Sequence, residues 1–331
     1  MKVSVKEIEQ KLQRVLESRG YSPEDVSFII DMYLGGELSG HSTHGLADFA
    51  SFASEDYSGL DEPEILKQTA ALYMVDAKSN PGVIIGKKAA DEAMKRADNE
   101  VVGVSLIKNM EIWRRPGGIA KYIAEKGYLA IVMNDAAGAA MSPPGGSDPT
   151  LGTNPIAYGI PLGDSPLVVD LATSKKAWGQ VRLANKYKTD LPPDSFYDYG
   201  GNITIDPKKA HSVLPFGDYK GYALALLIEI LCGSLLGKAM MITDSAKDKF
   251  GVTTPDRVGA IFVIDPRQTV GLEQFSKANS DLIVRIKSSS ALSGKTIRIP
   301  GEQAGKLEAE AREKDEVDLP DTLWAEIKAI T

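Results

Sequence analysis

Two short stretches of this chain concentrate side chains able to move protons or hold charge. In GHSTHGLAD, His41 and His44 stand three residues apart, and Asp48 follows four residues after the second. An imidazole near a carboxylate changes charge close to neutral pH, so His44 reads either as an acid/base group or as a structural donor that fixes the turn. His41 and His44 have the spacing of two metal ligands, but no third ligand accompanies them and a metal site is not expected. In KNMEIWRRPGG (108–118), Glu111, Trp113, Arg114 and Arg115 lie between an apolar run, VGVSLI, and a helix-like one, IAKYIAEKG. Strand-to-helix corners of this kind often carry the chemistry of α/β enzymes. Glu111 is then a carboxylate offered to a ligand or the ion-pair partner of Arg114 or Arg115. Trp113 either stacks on a ring or plugs an interface. His211 lies in a stretch without a motif and is expected at the surface.

The elements that must position these groups are legible in outline. Val5 to Ser18 has apolar residues at helical spacing. Ser22, Pro23 and Asp25 open a second helix as cap, first helical residue and capping-box partner. ALYMVD reads as a strand, and GVIIGKKAADEAMKRADNE as a helix with Ile84, Ala89, Ala93 and Ala97 on its apolar face. The strands VGVSLI and YLAIVMND flank the corner and its helix. From there to Asp170 the chain is rich in Gly, Pro, Ser and Asn, which suggests an ordered functional loop region. LVVDLA and GAIFVID are further strands. KGYALALLIEILCGSLLG is apolar nearly all round, so it belongs in a core or a subunit interface. TIRIP is expected as a strand, EQAGKLEAEAREKD as an exposed helix and LPDTLWAEIKAI as a short amphipathic one. No strand is followed by G-x-G-x-x-G, so no standard dinucleotide fold is argued.

Composition bounds the function. The chain has 331 residues, is 43% apolar, and carries a net charge of −7 with a pI near 5.2. That describes a globular protein with a large core. No Lys/Arg cluster is dense enough to neutralise a run of phosphates, so the expected partner is a small molecule and not a nucleic acid. The N-terminal residues mix charged with apolar side chains and so read as neither signal peptide nor membrane span. The single cysteine, Cys232, makes no intrachain disulfide, and a cytoplasmic protein is expected.

The segments SGHSTHGLADF, LGTNPIAYGIP, VVDLATS, GDYKGYALALLIEILCG and IRIPGE, in this order, resemble the type-2 malate/L-lactate dehydrogenase family. That is a group of NAD(P)-dependent enzymes with ureidoglycolate, sulfolactate and cyclic-imine reductase members. The resemblance implies a mixed α/β, L-sulfolactate dehydrogenase-like fold with a non-Rossmann nucleotide-binding sheet and a helical N-terminal part. The implied division is 1–75 as the helical domain, 76–115 plus 286–331 as a connecting domain, and 116–285 as the NAD(P)-binding domain. It also implies a homodimer with the active site near the interface.

On the cofactor side the resemblance assigns Asp170, Leu171, Ala172, Thr173 and Ser174, with Lys220 as a phosphate partner. Asn154, in a loop with Gly152 and Thr153, and Pro300-Gly301 complete the set. Lys175 and Lys176 either favour a 2′-phosphate or are merely solvated, so NADH and NADPH both stay open. The substrate side departs from the family. Ungapped comparison places Asn109 on the family's Asn, Ile112 on its proton-donating histidine, Asp48 on an arginine that pairs with the substrate carboxylate, and Phe52 on a common tyrosine. A carboxylate there repels an anion, which points to a less anionic carbonyl or an imine substrate, with His44, Asp48 and Glu111 as the catalytic candidates. The alternative is a catalytically silent relative that serves as a nucleotide-binding or scaffold protein.

Overall fold

A computed structural model describes residues 1–57, 59–111, 113–136, 138–163, 165–237 and 257–331. Strand β1 (Lys2–Val3) leads into α1 (Val5–Ser18), whose first turn is capped by the Ser4 hydroxyl and whose Ile8, Leu12 and Val15 bury one face. Ser22 accepts the Asp25 N–H at the start of α2 (Pro23–Leu38). A 3-10 turn (Ser42–His44) follows, then α3 (Leu46–Ser54). The middle of the chain alternates strands and helices: β2 (Glu64–Gln68), β3 (Leu72–Asp76), α4 (Gly82–Glu100), β4 (Val102–Met110), α5 (Pro116–Glu125) and β5 (Leu129–Asn134). Next come β6 (Ile156–Ile160), β7 (Leu167–Leu171), α6 (Gly179–Tyr187), β8 (Phe196–Tyr197), β9 (Ser212–Val213) and α7 (Tyr219–Cys232). The chain closes with β10 (Arg257–Ile264), α8 (Leu272–Lys287), α9 (Glu302–Lys314), β11 (Val317–Asp318) and α10 (Asp321–Ala329).

Seven strands form one sheet in the order β2-β3-β4-β10-β5-β6-β7. Only β3 and β4 run parallel, joined by the α4 crossover, and the other neighbours are antiparallel. A mixed sheet of this kind is not the doubly wound parallel sheet of a standard dinucleotide fold. α4 lays Ala89, Ala93 and Ala97 against one face, where Ser105 of β4 donates to the Ala89 carbonyl at 2.7 Å. Ile84 is only partly buried, so the apolar face of α4 is narrower at its start than the sequence pattern suggested. The other face packs Leu106, Met133, Val258 and Ala260 against Ile228 and Cys232 of α7. The outer side of α7 stays exposed at Leu226, Leu227 and Ile230.

Three elements differ from expectation. TIRIP is not a strand: the Ile299 N–H donates at 3.0 Å to the Glu302 carboxylate at the head of α9, so it is used as part of a helix entry instead of a ladder. β6 lies inside the Gly- and Asn-rich stretch read as loop, because Ile156 to Ile160 finds partners on both β5 and β7. α8 was not anticipated from the sequence, and none of its residues is buried.

Candidate active site

The 108–118 corner is built from the sheet outward. Asn109, near the end of β4, takes a left-handed backbone (φ +53°) that asparagine tolerates better than most residues. Its side chain donates to Asp76 at 2.9 Å, and Lys108 pairs with the same carboxylate at 3.6 Å. Burial alone would raise the Asp76 carboxyl, but hydrogen bonds from Lys78 and Asn109 and the charges of Lys78 and Lys108 outweigh it and hold it below the ordinary range. Trp113 is fully buried in a slot over Gly259, where a Cβ would come within 2.5 Å of the indole. It is a plug between β10 and α4, not a platform for a nicotinamide. Ile112 lies outside the described residues.

Glu111 and Arg114 do not pair with each other as the sequence suggested. The Glu111 carboxylate accepts the Tyr57 hydroxyl at 2.9 Å. Arg114, with φ +65°, turns back to donate from Nη1 to Asp48 Oδ1 at 3.3 Å. Arg115 is buried and directs Nη1 to the Met32 carbonyl at 3.5 Å. The corner thus splits its charges among three neighbours because the left-handed turn at Arg114 points successive side chains in divergent directions.

The histidine turn is held from α2. Glu37, nearly buried, accepts the Leu46 N–H at 3.0 Å and so caps α3, whose own N-cap residue is a glycine with no side chain to do it. This sets the His44 ring, in the turn ahead of α3, against Asp48 in the first turn of that helix, with Nδ1 3.2 Å from Asp48 Oδ2. The His44 side chain is 41% exposed and Asp48 only 13%. No hydrogen bond engages His44 Nε2 among the described residues. Both Asp48 oxygens are therefore occupied, one by His44 and one by Arg114. Asp48 is not the isolated carboxylate that the sequence reading set against an anion, because the guanidinium that offsets it comes from a corner 66 residues away. Phe52 joins Tyr33, Phe49 and Tyr57 in an aromatic cluster with centroids 5.6 to 6.3 Å apart, which is packing and not chemistry. Tyr33 within it lies close to Asp48, Glu111 and Arg114, and burial pushes its hydroxyl well above the usual range.

His41 faces the other way. Its Nδ1 lies 3.1 Å from the Ser39 hydroxyl, and burial, with the nearby Arg115 charge, lowers its pKa. It lines a cavity of about 930 Å³ together with Arg115, Asp170, Leu171, Pro300 and Gly301. That volume lies within the range of small-molecule and cofactor sites. The cavity brings together the β7 end, the loop into α9 and the histidine turn, segments more than a hundred residues apart in the chain. Asp170 is half-buried, and its desolvation raises its carboxyl despite the Gly117 N–H it accepts at 2.8 Å near the start of α5.

The Thr173-Ser174 turn meets the start of α7. The Phe216 N–H donates to the Thr173 carbonyl at 3.0 Å, and Gly221 approaches that same oxygen so closely that a Cβ would sit 2.5 Å from it. Lys220 is exposed beside this contact and makes no ion pair among the described residues. Thr173 and Ser174 spend their hydroxyls on the carbonyls of Thr153 and Lys176, both internal contacts. Asn154 also turns inward. It is fully buried, donates to the Ala225 carbonyl and the Glu229 carboxylate at 3.1 and 2.9 Å, and accepts the Ala136 N–H at 3.3 Å. With its side-chain amide used this way it is a scaffold between β6 and α7. Lys175 donates to the Asp194 carbonyl at 2.7 Å. His211 is half-buried against Tyr199 and reaches Asp148 at 3.2 Å.

Glu37, Tyr33 and Tyr57 escaped sequence reasoning. Their partners lie on other elements, and only the position of Glu37 before the GHSTHG turn offered a local hint. A cavity with mixed walls and a glycine-led helix entry at Gly301 fits a nicotinamide dinucleotide.

Residues 3–328 match the malate/L-lactate dehydrogenase family model. The chain is 31% identical over 328 residues to the L-sulfolactate dehydrogenase of Methanocaldococcus jannaschii, covering 96% of this chain and 92% of that protein. It is 27% identical over 342 residues to the 2,3-diketo-L-gulonate reductase of Klebsiella pneumoniae, with both chains covered in full. The solved sulfolactate dehydrogenase from Methanocaldococcus jannaschii superposes with a TM-score of 0.85 at 28% identity, covering 100% of this chain and 96% of that one. The chain belongs to the malate/L-lactate dehydrogenase family and is an oxidoreductase that works with a nicotinamide cofactor.

Proposed function

We propose that this protein interconverts a small carbonyl compound and its alcohol, with His44 as the group that gives and takes the proton at the substrate oxygen. The observation that carries the reading is the His44–Asp48 contact of 3.2 Å, which fixes the imidazole through Nδ1 while no hydrogen bond engages Nε2 among the described residues. A positioned acid of this kind contributes about two to four powers of ten in rate. Asp48 orients the ring, Glu37 holds the turn that carries it, and His41 and Asp170 line the cavity beside it. The bound cofactor supplies or accepts hydride. Lys220 holds a cofactor phosphate, Leu171, Pro300 and Gly301 form the cavity wall, and Asp170, Thr173 and Ser174 keep that wall in place. His44→Ala is expected to lower kcat about a hundredfold or more while NADH or NADPH quenching titrations stay unchanged. Equal kcat in the variant overturns the assignment. Cofactor binding without turnover of any carbonyl or imine would favour a silent scaffold instead.

A second reading, reduction of an imine, is favoured by Glu111, whose carboxylate beside Asp48 offers a field that stabilises an iminium. Parallel assays with 2-oxo acids and cyclic imines separate the two. The exposed face of α7, where Leu226, Leu227 and Ile230 are 42 to 49% exposed, supports a homodimer with the site near its interface. Leu227→Lys is expected to yield monomers in sedimentation velocity, and an unchanged mass would exclude this face as the interface.

A further inference from the structure

Helix α9 forms one wall of the cavity of about 930 Å³, with Ala304, Leu307, Glu308 and Arg312 lining it, yet none of its residues is buried. Helices usually dock through an apolar stripe. Here Ala311 is only partly buried against the core and Leu307 is exposed. Charge holds the helix instead. Glu308 accepts from Lys121 of α5 at 3.0 Å, and Arg312 donates to Glu9 of α1 at 2.6 Å and to Asp31 of α2 at 3.5 Å. Lys121 also reaches Asp31 at 3.1 Å, and Arg312 reaches Glu308 at 3.2 Å, which closes the network. Gly35 of α2 leaves room for it, since a Cβ there would stand 3.5 Å from both Asp31 Oδ1 and Glu308 Oε1. A second cavity, of about 540 Å³, is lined by Glu9, Asp31, Lys121 and Arg312, so the network stands between two open spaces that water can reach. Both ends of α9 are pinned. Gly301 (φ +84°) lies so close to β7 that a Cβ would sit 1.9 Å from the Val168 carbonyl. Asp315, also left-handed at φ +52°, accepts the Ser4 hydroxyl and the Lys6 N–H, each at 2.9 Å.

We propose that α9 is a lid over the cofactor cavity, hinged at Gly301 and Asp315 and latched by the Lys121–Glu308 and Arg312–Glu9 pairs, and that its opening sets how fast the nicotinamide cofactor enters and leaves. The inference rests on the reading of that cavity as the cofactor site. Segments with few buried apolar contacts are the ones that open locally at low cost, and hinges are a few residues at element ends that absorb the backbone change. An ion pair reached by water contributes little by itself, so the loss of one pair is enough to shift the opening equilibrium without unfolding the protein. The latch holds the closed helix whether or not cofactor is bound. Weakening it therefore speeds entry and exit together and leaves affinity nearly unchanged. A side chain that touches the cofactor behaves differently: its loss speeds exit without speeding entry, and Kd rises.

The test uses the intact protein, as wild type, Lys121→Met and Glu308→Gln, with whichever of NADH and NADPH it binds. Stopped-flow nicotinamide fluorescence gives the entry rate on mixing and the exit rate on displacement by excess oxidised cofactor. Both rates are expected to rise about fivefold in each variant, with Kd held within about twofold. The two substitutions change net charge in opposite directions, so long-range attraction of an anionic cofactor would drive their entry rates apart, whereas an unlatched helix moves both the same way. In the cofactor-free protein, hydrogen exchange of the α9 amides read by mass spectrometry is expected to quicken about fivefold in both variants while α4 stays as in wild type. Rates and exchange equal to wild type in both variants overturn the proposal. So does a Kd raised by Lys121→Met without faster entry, which would make Lys121 a direct cofactor ligand. A wild type that binds neither NADH nor NADPH overturns the cofactor reading and the gating role with it, and faster exchange of α9 in the variants would then show the latch alone.

Discussion

Removal of the Glu37 carboxylate tests whether the active-site turn is held from α2. Glu37 is 8% exposed, and its Oε2 accepts the Leu46 N–H at 3.0 Å. Glu37→Ala leaves that buried donor without a partner at the start of α3, a helix with no other side-chain cap. Hydrogen bonds to charged groups contribute about 1.5–3 kcal/mol, and loss of an N-cap costs about 0.5–2 kcal/mol. The two figures describe one contact from two sides, so they do not add, and a loss of about 2 kcal/mol is expected. Glu37→Gln keeps an acceptor of nearly the same shape and is expected to lose about 1 kcal/mol or less. Urea unfolding followed by far-ultraviolet circular dichroism measures both differences from the shift in midpoint at constant slope. Because α3 carries Asp48 and the preceding turn carries His44, kcat of the alanine variant is expected to fall tenfold or more, while cofactor affinity holds. A midpoint and kcat for Glu37→Ala within error of wild type would show that the turn is fixed by something else and sink the argument.

Three further outcomes follow from contacts outside that turn. Asn154→Ala removes the donor to the buried Ala225 carbonyl and Glu229 carboxylate and is expected to cost about 2–4 kcal/mol in urea unfolding, whereas a cofactor ligand at that position would show weaker NADH binding with little loss of stability. Lys220→Ala is expected to weaken NADH and NADPH about tenfold with the unfolding midpoint unchanged, since an exposed point charge holds no internal contact. The Asp76 carboxyl is held below its ordinary range by Lys78, Asn109 and Lys108, so its contribution to stability is present above the unfolded carboxyl's pKa and is lost as pH falls through the folded one. Asp76→Asn is thus expected to destabilise the protein at pH 7 and to match wild type in strong acid, and a difference that is constant with pH would refute the charge argument.

How much was legible depends on how far apart the interacting residues lie in the chain. The cap at Ser22 and the alanine stripe of α4 involve residues a few positions apart, so local spacing reveals them. His44 and Asp48 are likewise only four positions apart, one in the turn and one at the start of α3, so their contact is local in the chain. The apolar character of α7 was equally plain, although which side meets the sheet was not, because nearly every position satisfied the pattern.

The meaning of the charges was settled only by tertiary structure. From sequence, Asp48 stood alone against an anion, and Glu111 had two adjacent arginines to pair with. The fold instead pairs Asp48 with Arg114, 66 positions away, and Glu111 with Tyr57, 54 positions away. It also turns Asn154 inward to α7 and closes the cavity with β7 and α9. A sequence by itself fixes which charges exist and which neighbours one helical turn apart can meet. Whether a given carboxylate repels, orients or caps depends on the sign and distance of groups delivered by other elements, and Coulomb energy follows distance in space, not separation along the chain.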